Sequence, residues 1–154
     1  MISRILVLMW QSIIFLFSAQ PATDSKELSS GLTEMVLELI FPHMTPDRVA
    51  EVAEMLSFAV RKSAQFTIYM ILGMLMYNCI SRILSVKRKV AASLLFCFLY
   101  AVTDEIHQIF VDGRAGRVLD VCIDSVGSLC GIMIIAFVLT KTHHINHIKR
   151  RNEI

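Results

Sequence analysis

A stretch of polar and charged side chains occupies residues 104–124, and apolar segments of membrane length lie on both sides of it. A charge at the centre of a membrane span costs roughly 2.5 to 3.5 kcal/mol on insertion scales. Polar groups at that cost usually face a protein interior or a water-filled cavity, where they serve a function. Acid–base chemistry or the binding of a divalent cation suits the side chains present. These candidate catalytic residues are Asp104, Glu105, His107, Gln108, Asp120 and Asp124.

Helical spacing gathers these side chains, with others, into three columns, each on its own predicted helix. The columns are Tyr100, Asp104, His107 and Gln108; Asp120, Asp124, Gly127 and Gly131; and Arg61, Gln65, Tyr69 and Gly73. Glu105 lies about 100° around the helix from Asp104. Gly127 and Gly131 form a GxxxG pair, which allows another helix to approach closely. The carboxylate column is therefore also a packing face, and the three columns are predicted to meet.

Two arginines, Arg114 and Arg117, lie in the short loop between the last two predicted spans. A short loop makes its flanking helices antiparallel neighbours, so Asp104 and Asp124 are predicted to lie at similar depth. Arginines above these carboxylates can pair with them or bind an anion. The predicted ligand-binding residues are Arg61, Gln65, Tyr69, Tyr100, Arg114 and Arg117.

Two interpretations of this polar group remain open. In the first, the three arginines and Lys62 neutralise the four acids, and the network only fixes the packing of the helices. In the second, some of the groups act on a ligand. Buried ion pairs are often no more stabilising than apolar replacements. We favour the second interpretation, because so many polar groups at one depth would be a costly way to hold helices together.

Composition indicates an all-α polytopic membrane protein with a single domain over residues 1–154. The chain is 55% hydrophobic, and its mean hydropathy of +0.62 exceeds that expected of a soluble domain. Four transmembrane helices are predicted at about 2–19, 66–84, 90–111 and 119–140. The net charge of +2 is too small to indicate a nucleic-acid partner. The four cysteines lie in apolar segments without a CxxC pair and are interpreted as packing residues.

The first span could instead be a secretory signal peptide. A cut after Ala19 would place Phe17 three residues from the cleaved bond, where a small residue is expected. A cut after Gln20 would leave Pro21 just beyond it. We therefore predict an uncleaved membrane anchor.

Basic residues predict the orientation, since they favour the cytoplasmic side of a membrane. They lie before the first span, between spans two and three, and after span four, at Arg4, Arg82, Lys87, Arg88, Lys89, Lys141, Lys149, Arg150 and Arg151. Both termini are thus predicted to be cytoplasmic, with residues 20–62 outside and 141–154 as a basic cytoplasmic tail. In that tail, His143, His144 and His147 are interpreted as solvated side chains in preference to a metal site.

The outer segment, residues 20–62, is predicted to form an amphipathic helical hairpin between the first two spans. Apolar residues recur at helical spacing from Leu28 to Leu39 and again from Val49 to Val60. Pro42 ends the first helix and Pro46 begins the second. The hairpin either rests on the helix bundle or bilayer surface, or acts as a lid over the polar site. We prefer the first interpretation, because no residue in the hairpin requires chemistry.

Several motifs carry a resemblance to a known family. The strongest reads YAVTDEIHQ over residues 100–108, and it continues through Phe110-Val111, Gly113-Arg114, Gly116, Asp120-Val121, Ile123-Asp124 and Gly127. Two further motifs are RKSAQF at 61–66, with Tyr69 and Leu72-Gly73, and SAQPATDS at 18–25. With these motifs the chain resembles the VanZ-like family over nearly its whole length. It departs from that family's usual pattern at Gln65, where histidine is common, and at Asp112, where proline is common.

The resemblance implies an integral protein of the bacterial cell membrane. The family is named for a member linked to low-level resistance to the glycopeptide teicoplanin. The departure at Gln65 removes a titratable group that would face the polar site, because an amide can only donate and accept hydrogen bonds.

Three functional hypotheses follow. The favoured one is an envelope protein whose outer-leaflet pocket binds an anionic or amphiphilic molecule, such as a lipid-linked cell-wall precursor or the lipid tail of a glycopeptide. The second is a membrane enzyme that uses the carboxylates and His107 for acid–base or metal-assisted chemistry on a lipid-linked substrate. The third is a structural or assembly protein with no ligand. The sequence identifies no cofactor.

Overall fold

The computed structural model describes residues 2–80 and 84–152, with the side chains of 143–152 left outside that description. The described residues form five helices, which are α1 (Ile2–Ser18), α2 (Ala22–Ile40), α3 (Pro46–Cys79), α4 (Val86–Gln108) and α5 (Val118–Asn152). The all-α prediction is confirmed. Several side chains on which the predicted orientation and the predicted cytoplasmic tail depend lie outside the described residues. They are Arg82, His143, His144, His147, Lys149, Arg150 and Arg151.

Helix α3 joins two elements that were predicted to be separate. The second half of the predicted hairpin and the predicted span at 66–84, as far as Cys79, form one helix of 34 residues, with Pro46 in its first turn. Residues 81–83 of that span lie outside the described residues. No proline or glycine interrupts the chain between Asp47 and Leu72, so the charged pair Arg61-Lys62 is carried within a continuous helix. At 1.5 Å per residue, α3 is about 51 Å long, which exceeds a hydrocarbon core of about 30 Å.

Within the described residues, two helices are long and apolar enough to cross a membrane, namely α4 over Val86–Gln108 and α5 over Val118–Thr142. A third span results if α1 and α2 are counted as one broken span, because they pass the same test together with a 100° bend between them. Helix α4 ends three residues before the predicted end of span three. There the backbone hydrogen bonds join residues three apart in place of four, with Phe110 N bonded to His107 O and Val111 N bonded to Gln108 O.

Glycines bring α3 and α5 into close contact, as the GxxxG pair predicts. A Cβ atom added to Gly131 would lie 1.9 Å from the carbonyl oxygen of Met70, and one added to Gly127 would lie 2.5 Å from that of Phe66. On α3, a Cβ atom added to Gly73 would lie 2.3 Å from the carbonyl oxygen of Ser128. No larger residue can occupy these positions unless the helices separate.

An apolar cluster holds α1, α3 and α4 together. Its buried members are Val7, Ile14, Tyr69, Leu72, Cys97 and Ala101. Two side-chain hydrogen bonds fix α1 against its neighbours: Trp10 Nε1 donates to Ile68 O at 2.9 Å, and the Tyr100 hydroxyl donates to Gln11 O at 2.8 Å.

Helix α2 packs against the first half of α3. Ser29, Thr33 and Leu37 are the buried residues of α2, and Leu37 packs with Val49 and Ala53 of α3. The exposed Lys26 of α2 pairs with Glu54 of α3. The Lys26 ammonium holds the pKa of that carboxyl below its usual value.

Candidate functional site

A cavity of about 650 Å³ lies where α1 ends and α2 begins, against the middle of α3 and the loop between α4 and α5. Eight of the twelve predicted site residues line it, namely Arg61, Gln65, Tyr69, Asp104, Gln108, Arg114, Arg117 and Asp120. The three sequence columns therefore do meet. The bent connection between α1 and α2 contributes Ser18, Gln20 and Ala22 to the lining.

The other four predicted residues lie close by but do not line the cavity. Glu105 Oε2 accepts a hydrogen bond from the backbone N–H of Arg117 at 2.7 Å. The His107 ring packs on Phe15, with 4.5 Å between ring centroids. Tyr100 uses its hydroxyl on α1, and its ring centroid lies 6.3 Å from that of Tyr69. Asp124 is fully buried.

One ion pair crosses the cavity wall, between Lys62 of α3 and Asp120 in the first turn of α5. Lys62 Nζ lies 2.6 Å from Asp120 Oδ2 and 3.2 Å from Gln65 Oε1. In the described part of the chain, this is the one ion pair that any of the four predicted acids forms. Of the four cations that the sequence offered as partners of the acids, Lys62 is therefore the one that pairs with Asp120.

Arg114 binds backbone carbonyl groups at the end of α1 and the side-chain amide of Gln108 at the end of α4. Its Nε donates to Gln20 O at 2.8 Å, its Nη2 to Phe17 O at 3.3 Å and its Nη1 to Gln108 Oε1 at 3.5 Å. A cation placed at the last carbonyl groups of a helix stabilises that helix end. Burial lowers the pKa of the Arg114 guanidinium from its usual value, although the charges of Asp104 and Glu105 oppose the shift.

The other two arginines have more donors available. Arg61 Nη1 donates to Ser29 Oγ at 3.2 Å, which ties α3 to α2. The exposed Arg117 guanidinium lines the cavity and has neither a hydrogen bond nor an ion pair within the described residues. A guanidinium carries five N–H donors in a fixed fork, so both side chains retain capacity for an anion.

Two buried carboxyl groups differ in their surroundings. Asp104 Oδ2 accepts a hydrogen bond from Gln108 Nε2 at 3.3 Å, and the Ser18 and Tyr69 hydroxyls lie beside it. Neither oxygen of Asp124 has a partner at hydrogen-bond distance in the part of the chain that the structure describes, and the Gln65 amide lies beside this carboxyl. Within that same part, no three His, Cys, Asp or Glu side chains are grouped closely enough to hold a metal ion.

A model of the VanZ/LLP1 family matches residues 3–139, which covers α1 to α4 and the membrane-length part of α5. The chain belongs to the VanZ/LLP1 family. Neither the curated proteins nor the solved structures contain a match to it. The family match and the two or three helices of membrane-spanning character together indicate a membrane protein.

In this VanZ/LLP1 chain, α2 contributes to the cavity more than its sequence suggested. Its first turns supply Ala22, Ser25, Lys26, Leu28, Ser29 and Leu32 to the lining. Between Lys26 and Leu32, polar side chains lie next to apolar ones around the helix. This pattern was the signal in the sequence that could have indicated a role for α2 in the cavity. Ser18, at the end of α1, was also missed because its role depends on the bend that follows it.

Proposed function

We propose that the cavity binds an amphiphile with an anionic head group, such as a membrane lipid or a lipid-linked envelope molecule. The observation that carries this proposal is the lining itself. Among the described lining residues, five are basic and two are acidic, namely Lys26, Arg61, Lys62, Arg114 and Arg117, with Asp104 and Asp120. The apolar remainder includes Ile14, Phe17, Leu28, Leu32, Phe58 and Ile68.

The internal pairing leaves an excess of positive charge. Lys62 is neutralised by Asp120 and Lys26 by Glu54, so among the lining residues three arginines remain against the single carboxyl of Asp104. Glu105 and Asp124 lie close by but do not line the cavity. Charge-assisted hydrogen bonds from arginine are the ones that recognise phosphate and carboxylate most strongly. An anionic group between Arg61 and Arg117 would offset this excess of positive charge, with Arg114 holding the loop in place.

The size and the walls of the cavity support an amphiphile over a free anion. A volume of about 650 Å³ falls within the range of roughly 300 to 1,000 Å³ that is typical of ligand sites. A small anion would leave the apolar walls unoccupied, whereas an acyl or prenyl chain would cover them. A glycopeptide with a lipid tail has related chemistry, so a link to teicoplanin resistance forms part of the proposal.

The membrane orientation belongs to the same proposal. We infer four spans with both termini in the cytoplasm and the cavity in the outer leaflet, since Arg4, Lys87, Arg88 and Lys141, which do not line the cavity, favour the cytoplasmic side. In a background free of the native cysteines, an impermeant thiol reagent applied to intact cells should label Asp112→Cys and spare Arg88→Cys. If only the Arg88→Cys variant were labelled, the orientation would be the opposite of the one inferred.

A titration in detergent tests binding. Dodecyl phosphate should bind the purified protein, and dodecanol should not. Arg61→Gln and Arg117→Gln should each weaken binding by about tenfold or more, since a hydrogen bond to a charged group contributes about 1.5 to 3 kcal/mol. Arg48→Gln is the matched control, because Arg48 is exposed and its ion-pair partner is Glu51. Equal weakening by Arg48→Gln would refute a specific site.

A second candidate is acid–base chemistry on the bound molecule. The observation in its favour is that the buried carboxyl of Asp104 faces the same cavity as the arginines. Asp104→Asn separates the two functions, because binding of dodecyl phosphate should persist. If a reaction occurs, its turnover should be lost in that variant. Turnover that persists in Asp104→Asn would exclude this carboxyl as the acid or base.

A further inference from the structure

Helix α2 has three distinct faces. One face packs on α3 through Ser29, Thr33 and Leu37. At 100° per residue, a second arc carries only apolar side chains from Leu28 onward, and they are Leu28, Leu32, Met35, Val36 and Leu39. The remaining arc carries most of the acids of this helix, Glu27, Glu34 and Glu38.

The apolar arc is uncovered in the described structure. Met35 is 65% exposed and Leu39 is 81% exposed, and the other three members of the arc are about half exposed. An apolar face of this kind opposite a charged face is typical of a helix that lies in a bilayer interface. In water it would be an aggregation liability.

The direction of α2 fits the same environment. Helix α1 is apolar along most of its length, and α2 leaves it at a 100° bend after Ser18. If α1 crosses the bilayer, α2 therefore runs close to the membrane plane. Leu16 and Phe17 at the end of α1 are also exposed, so the uncovered apolar surface is continuous from α1 to α2.

The cavity opens at this surface. Leu28 and Leu32 belong both to the apolar arc and to the cavity lining, and Phe17 and Phe58 flank them. We propose that α2 is an interfacial helix whose apolar arc contacts lipid, and that the cavity opens sideways to the bilayer beneath it. An amphiphile would then enter from the leaflet with its head group passing between α1 and α2. This entry route rests on the proposed function, whereas the contact of α2 with lipid does not.

Quenching of tryptophan fluorescence by brominated lipid tests the contact. Trp10 is the one tryptophan of the chain, so Trp10→Phe removes the native tryptophan fluorescence. Leu39→Trp and Glu34→Trp are a matched pair, about 140° apart around the same helix. In vesicles of phosphatidylcholine with brominated acyl chains, Leu39→Trp should lose most of its emission and Glu34→Trp should lose little.

A third variant, Leu28→Trp, tests the opening of the cavity and should also be quenched. Equal quenching at positions 39 and 34, or none at 39, would overturn the interfacial position of α2. Quenching at 39 with protection at 28 would overturn the lateral opening. If Trp10→Phe does not fold, the same comparisons are made with Trp10 retained and its emission subtracted. The quenching assay contains no dodecyl phosphate, so failure to bind dodecyl phosphate in the detergent titration would refute the proposed function and leave this result intact.

Discussion

Lys62 Nζ lies 2.6 Å from Asp120 Oδ2, and this ion pair joins the middle of α3 to the first turn of α5 on the cavity wall. The Asp120 side chain is 8% exposed and that of Lys62 is 21% exposed. The carboxylate also lies in the first turn of α5, near the positive end of the helix dipole, where an acidic side chain stabilises the helix. The pair therefore holds together the two helices that carry opposite sides of the site.

Removal of one partner of the Lys62–Asp120 pair should leave the charge of the other without its counterion. Lys62→Gln should lower the free energy of unfolding in detergent by about 2 to 4 kcal/mol, because breaking a fully buried pair costs roughly 3 to 5 kcal/mol and Lys62 is partly solvated. The double variant Lys62→Gln/Asp120→Asn should recover most of that loss. A double variant no more stable than Lys62→Gln would show that the pair does not act as a unit.

Asp124 should behave differently from Asp120 although both are buried on α5. Asp124 is fully buried, and within the described residues its oxygens have neither a hydrogen bond nor a cation within 4 Å. An isosteric amide removes the cost of burying an acid and breaks no pair. Asp124→Asn should therefore keep or raise the melting temperature, while Asp120→Asn lowers it. Equal losses in the two variants would contradict this assignment.

The contact between α3 and α5 should be sensitive to a single methyl group. Gly131→Ala places a Cβ atom 1.9 Å from Met70 O, so the helices must separate at a cost of at least about 2 kcal/mol. Gly31→Ala is the matched control, because a Cβ atom there meets nothing within 4 Å. The control should be neutral or slightly stabilising, since alanine is the better helix former. Melting curves in one detergent compare the two variants, and a Gly131→Ala protein as stable as Gly31→Ala would refute the close packing.

His107 should be dispensable for ligand binding. Its ring packs on Phe15 of α1, and it does not line the cavity. His107→Gln should leave the affinity for dodecyl phosphate unchanged, with any effect confined to stability. A loss of affinity as large as that of Arg61→Gln would place His107 in the binding site after all.

Regular helical geometry explains which parts of the site the sequence could predict. The spacing of Arg61, Gln65 and Tyr69 placed them on one face, and the structure places all three on the cavity. The GxxxG pair predicted the close approach of another helix to α5 for the same reason, because a period of 3.6 residues fixes which side chains share a face.

The remaining features depend on tertiary geometry. Arg114 binds the carbonyl groups of Phe17 and Gln20, which are distant in sequence, so no local pattern reveals its partners. The choice of Lys62 over the arginines as the partner of Asp120 depends on the register between α3 and α5. The part played by α2 depends on the bend after Ser18, whose angle no residue pattern specifies.

Native mass spectrometry of the protein purified from its own membrane tests the central claim most directly. The wild-type protein and Arg48→Gln should both retain a bound anionic amphiphile after mild detergent extraction. The double variant Arg61→Gln/Arg117→Gln should lose it, because the two guanidinium groups with available donors are gone. Retention of the same anionic molecule by all three proteins, or its absence from the wild type, would contradict a basic cavity built for an amphiphile.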